Sequence, residues 1–128
     1  MGFKIETKAF LKEDFAMKVL KNIEGEKVLE LSGLVSYNEG QIISRTLAQN
    51  KHVSLTLFAF DKGEEISSHS SGGDALVTVL DGAARITIGE NTYIVRGGQS
   101  IVMPAGIPHA LYAEEPFKML LTVVFPPQ

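Results

Sequence analysis

The chain has no cysteine and no tryptophan. Without thiols, disulfide scaffolds, zinc ribbons, iron–sulfur clusters and cysteine nucleophiles are excluded, and any ligand set must be built from oxygen and nitrogen. A basic excess is missing too, since twelve Lys and Arg stand against fifteen Asp and Glu for a net charge of −3. Nucleic acid is therefore not an expected partner. No apolar run approaches the roughly 18 residues of a membrane span, and residues 1–10 lack the apolar stretch of a secretory signal. The opening Met-Gly does not complete a myristoylation motif, because Glu6 stands where Ser or Thr is needed. These absences lead to the expectation of a cytoplasmic protein that does not engage membranes. No phosphate loop, dinucleotide fingerprint or serine nucleophile elbow occurs.

What is present fits one domain. A chain of 128 residues is long enough for a single core that buries roughly 65 to 70% of the unfolded surface. In the first third, Leu11, Phe15, Val19 and Ile23 recur every four positions, with Ala16 and Leu20 beside them. That period predicts a helix over 11–23, with Glu13 and Asp14 near its positive end and Gly25 as a stop. From residue 39 onward the pattern changes to short β-rich runs at 41–47, 53–60, 75–80, 83–88, 92–95, 100–103, 109–113 and 118–125. Turn residues separate them, as in Asp81-Gly82, Gly89-Glu90-Asn91 and Gly97-Gly98. Many short strands at such spacing predict an all-β sandwich or closed barrel over 39–128, with 1–38 as an N-terminal segment that packs on the barrel or on a partner subunit.

Two stretches carry a more specific signal. The first runs from Gly63 through His69, Ser71, Asp74 and Ala75 to Gly82, and the second from Gly98 through Pro104, Gly106 and Pro108 to His109. Together, separated by a hairpin pattern of the right length, they resemble the paired motifs of the cupin superfamily. The resemblance covers residues 63–113 and extends to roughly 40–125 through the flanking strands. It implies an antiparallel double-stranded β-helix, the jelly-roll barrel, whose members often hold one metal ion at the barrel mouth.

The departures from the motif bear on that metal. The family's first motif supplies two His and a carboxylate, its second a further His. By that pattern His69 and His109 fill two places, while Ser71 and Ala75 occupy the others and Ala113 replaces the Asn that often closes the second motif. Asp74 is the candidate third ligand, although adjacent residues on a strand face opposite ways. Imidazole suits divalent transition metals, so zinc, iron, nickel or manganese at His69 and His109 remains one expectation and a metal-free pair of imidazoles the other.

Hairpin geometry suggests the pocket. A turn centred on Lys62-Gly63 sets Thr56 across from His69 and Ser54 across from Ser71. With Phe58, Met103, Tyr112 and Phe117 as walls, this describes a small-molecule site. A filled barrel is the alternative, as such side chains also serve as packing. His52, outside both motifs, reads as a surface residue.

Two functional classes follow. One is a small-molecule-binding cupin, metal-free or weakly metal-binding, with its pocket around His69 and His109. The other is an enzyme on a small organic substrate, either a metal-dependent oxygenase or isomerase or a His-based acid–base catalyst. The fold alone does not choose between them. The run 117–125 is apolar on both faces, so one face needs a cover outside the barrel, and together with the resemblance this leads to the expectation of a homodimer.

Overall fold

The computed structural model describes residues 19–127. Among them nine strands form two sheets, with every strand antiparallel to its partners. The strands are β1 (Ile42–Gln49), β2 (Val53–Phe60), β3 (Glu65–His69), β4 (Asp74–Asp81), β5 (Ala83–Ile88), β6 (Asn91–Arg96), β7 (Ser100–Met103), β8 (His109–Tyr112) and β9 (Phe117–Val124). One sheet runs β1-β2-β9-β4-β7 and the other β3-β8-β5-β6. This is the expected jelly roll.

Period-two alternation places the core between the sheets. Ala84 and Ile86 on β5, Val77 and Val79 on β4, and Phe117 and Met119 on β9 turn inward and are almost fully buried. Phe60 and Phe117 stack at 4.4 Å between ring centroids. Gly82, in the tight turn between β4 and β5, sits at φ +73°, and a Cβ there would lie 2.1 Å from the Pro116 carbonyl oxygen. Only glycine allows that approach.

The outward face of the larger sheet carries a second apolar layer. Leu57, Ala59, Leu80 and Leu120 pack there against Ile23, Leu31, Leu34 and Val35 of the N-terminal segment. Thus Met119 points into the barrel while Leu120 points under the segment, which accounts for a strand that is apolar on both faces. Lys118 Nζ donates to the Ser32 carbonyl at 2.7 Å, and the Tyr37 hydroxyl donates to the Asp81 carboxylate. Burial first, and then that hydrogen bond, push the Tyr37 phenol well above its ordinary pKa. The layer is therefore pinned by polar contacts at its rim.

Two elements differ from the pattern expected of the sequence. The helix over 11–23 lies mainly outside the described residues, and the part that is described, 19–23, is irregular. There the Lys21 N–H is engaged by the Leu47 carbonyl and Asn22 has φ 60°, so the backbone joins the edge of β1 and does not continue a helix. A single turn of 3-10 helix at Leu31–Leu34 is the helical element among the described residues. Strand β3 was not among the expected runs, because Glu65-Ile66-Ser67-Ser68-His69 offers one strong β-former, and it forms as a largely exposed edge. No helix among the described residues is long and apolar enough to cross a membrane.

Candidate functional site

The two motif histidines meet across one strand pair. Tyr112 pairs with Glu65 and Leu111 with Ile66, and His109 then pairs with His69, so Ser67 and Ser68 together face Ala110 alone. This is a β-bulge. Regular alternation over the three positions from inward-facing Ile66 would turn His69 outward; the bulge absorbs one residue, and His69 shares the inward face of His109. The imidazoles lie edge to face, 4.3 Å between centroids, with Nε2 to Nε2 at 3.2 Å. His69 reaches solvent, whereas His109 is 3% exposed.

Hydrogen-bond chemistry fixes the protons of this pair. His69 Nδ1 is 3.1 Å from the Ser67 carbonyl oxygen, which only accepts, so neutral His69 carries its hydrogen on Nδ1. Its Nε2 is then an acceptor and His109 Nε2–H donates to it. His109 Nδ1 is left as a bare lone pair, buried and without a partner. Burial first, and the neighbouring His69 next, hold the His109 imidazole below the ordinary histidine pKa, with the backbone of Ile107 opposing. At neutral pH His109 is neutral.

The remaining sequence candidates are dispersed. Ser71 stands at the loop before β4, where its hydroxyl accepts from the Gly73 N–H and its carbonyl from the Gly106 N–H. Gly73 in turn approaches the end of β9 so closely that a Cβ would lie 2.5 Å from the Val124 carbonyl oxygen. Met103 is buried in the core, paired with Ala75. The hairpin that was to set Thr56 across from His69 does not form. Thr56 pairs instead with Thr46 and Leu121 in the larger sheet, while β3 belongs to the smaller one. The loop after Phe60 carries the chain from one sheet to the other, so strands adjacent in sequence are not adjacent in space. Tyr112 is one position off the inward set of His109 and Leu111, and its ring lies 4.6 Å under the Arg85 guanidinium. It faces away from the histidines. Phe58 and Phe117 are core residues, and His52 is exposed.

A cupin-type metal centre does not fit these residues. Ala75 is a methyl group in the core and Ser71 is occupied by Gly73. Asp74 faces outward, its carboxylate accepting from the Ala105 N–H at 2.8 Å. Among the described residues no group of three or more His, Cys, Asp or Glu could hold a metal ion. The facing Nε2 atoms supply half of a ligand set, and to bind a metal His109 would have to give up the hydrogen it donates to His69. Cavities of about 580 and 380 Å³ lie outside the barrel, and one of about 500 Å³ lies beside Gly72 and Phe125. Neither histidine lines any of these three.

Sequence reasoning missed the bulge and with it the β3 to β8 pairing. The signal was faint: two successive serines before His69 in a strand of low β-propensity.

Fold and motifs agree with the comparisons. A Cupin domain family model matches residues 56–125, and the chain belongs to the cupin superfamily. A conserved protein of unknown function from Streptococcus pyogenes is 56% identical, covering 88% of this chain and 99% of its own, with a TM-score of 0.86. A cupin superfamily protein from Desulfitobacterium hafniense is 34% identical over 84% of this chain and 98% of its own, with a TM-score of 0.80. An uncharacterized protein from Streptomyces coelicolor is 28% identical over 99 residues, which are 77% of this chain and 92% of that protein.

Proposed function

We propose that this cupin binds a small organic molecule at the His69–His109 pair without needing a metal, as a cytoplasmic protein. The observation that carries the reading is the direct contact of the two imidazoles at 3.2 Å. A hydrogen-bonded pair stands where two of the family's four ligand places, Ser71 and Ala75, hold no metal donor. Solvent-exposed His69 is the contact group, and its ring nitrogens lie against the Ser67 carbonyl and His109 Nε2. Ser71 lies on the adjoining loop, whereas Met103, Thr56 and Tyr112 serve packing and the sheet surface.

Metal content and imidazole signals test this together. Untagged protein should carry well under one transition metal per chain, and the His69 imidazole resonance should move with a panel of small phenols, hydroxy acids and amides. His69→Ala should abolish the response. One zinc, iron, nickel or manganese per chain, with an imidazole response only to added metal, would overturn the reading in favour of a metal enzyme.

A second reading has one observation behind it. A buried, neutral His109 in contact with an exposed His69 is the base form needed for proton transfer at neutral pH. In an acid–base enzyme, turnover would follow the His109 ionisation and would be lost in His109→Asn. We also propose a homodimer. Its support is the exposure of Leu76, Val102 and Val124 on the outward face of the larger sheet, beyond the part that the N-terminal segment covers.

A further inference from the structure

Where β9 ends and β4 begins, a cavity of about 500 Å³ has neither histidine in its wall. Three pieces of chain meet there: Asn50 and Lys51 in the turn from β1 to β2, Gly72 in the loop before β4, and Phe125 to Pro127 beyond β9. Hydrogen bonds tie down each piece, so the cavity is preformed. Asn50 Oδ1 accepts from the His52 and Val53 N–H groups at 2.8 and 3.1 Å, and the Phe125 N–H donates to the His52 carbonyl at 3.0 Å. The Ser71 carbonyl, beside Gly72, accepts from the Gly106 N–H at 2.9 Å. Phe125 also packs on the inner core, which holds its ring in place as one wall.

This wall carries a cation and no acid to answer it. Lys51 enters no ion pair among the described residues, and none of the residues lining the cavity is Asp or Glu. Asp74, the acid nearest to Gly72 in the chain, has its carboxylate engaged by the Ala105 N–H at 2.8 Å. In a chain of net charge −3, an unpaired cation beside a mainly apolar wall selects an anion with an apolar body. The flat rings of Phe125, Pro126 and Pro127 suit a planar group. Gly72 leaves room for it, since a Cβ there would meet no atom within 4 Å. We propose that this cavity binds a small aromatic monocarboxylate, with the carboxylate on Lys51 and the ring against Phe125 and the two prolines. The site is separate from the His69–His109 pair and does not depend on the reading given for that pair.

Benzoate is the probe, followed by heteronuclear NMR on the full chain. It should shift the Lys51, Gly72 and Phe125 signals and saturate with a Kd of about 1 mM, ordinary for so small a ligand. Uncharged benzamide should bind about threefold more weakly, the worth of an exposed ion pair, and Lys51→Gln should bring benzoate down to the benzamide level. Gly72→Leu should abolish the binding of both by filling the cavity. Gly72 has no positive φ, so the new side chain brings no backbone strain, and an unchanged His109 signal checks that the barrel is intact. Shifts that do not saturate, equal binding of benzoate and benzamide, or binding that survives Gly72→Leu would each overturn the site. Benzoate that moves only the His69 and His109 signals would overturn it as well and assign the carboxylate to the histidine pair.

Discussion

At the residue scale the chemistry of this barrel rests on where three hydrogen-bonding positions find two hydrogens. When both imidazoles are neutral they satisfy the Ser67 carbonyl and each other, leaving His109 Nδ1 bare. Imidazole nitrogen-15 shifts should accordingly report a hydrogen on Nδ1 of His69 and on Nε2 of His109. Acid would add the missing hydrogen, but at the expense of placing a charge in a buried site beside another imidazole. Because the folded-state pKa of His109 lies below its ordinary value of 6.5, the unfolded chain binds the proton more readily. Stability from this group is therefore complete above about pH 6.5 and is lost as pH falls from there through the lowered folded-state pKa. Thermal midpoints measured from pH 8 down to pH 5 should fall more steeply for the wild type than for His109→Asn. Parallel slopes would show that His109 is not the group responsible.

At the scale of elements, the bulge in β3 sets the face of His69. With Ser67 and Ser68 together opposite Ala110, His69 comes onto the inward face beside His109. Deleting Ser68 removes the extra residue and leaves Ile66, Ser67 and His69 in plain alternation, so His69 should stay inward and the His109 titration should be retained. His69→Ala, by contrast, should raise the His109 pKa in a proton NMR titration, since one of its two depressing causes is removed while burial continues to hold it down. An unchanged titration in His69→Ala would mean that His69 does not act on His109.

The molecule as a whole is stabilised by two apolar layers that share the larger sheet. Phe117 joins the inner layer through its stack on Phe60, so Phe117→Ala should cost about 3–5 kcal/mol in urea denaturation. A much smaller loss would indicate that the barrel collapses around the vacated space. Assembly is tested by light scattering at micromolar concentration, where a particle of twice the 13.9 kDa chain mass is expected. Replacing Leu76 and Val102 together by Ser should shift it toward the monomer. A wild-type particle that stays at the single-chain mass would end the dimer reading.

The sequence by itself determined the strand-rich body, the turn glycines and the pairing of His69 with His109 as site candidates. Each of these is written in local terms: period-two burial on β5, the positive φ that Gly82 alone tolerates, and motif spacing. Two faces on β9 also made a second layer necessary, and the segment around Leu31 to Val35 supplies part of it. Only the tertiary structure decided which strands become neighbours. Thr56 was expected beside His69 because a hairpin is the simplest link between successive strands, yet the loop after Phe60 crosses between sheets and gives His69 a partner forty residues away. Tyr112 and Asp74 were lost from the pocket for a related reason, since in a strand one position is the difference between the core face and the solvent face. Local sequence fixes how each residue alternates; which face is the inside depends on a bulge and on pairings between distant segments.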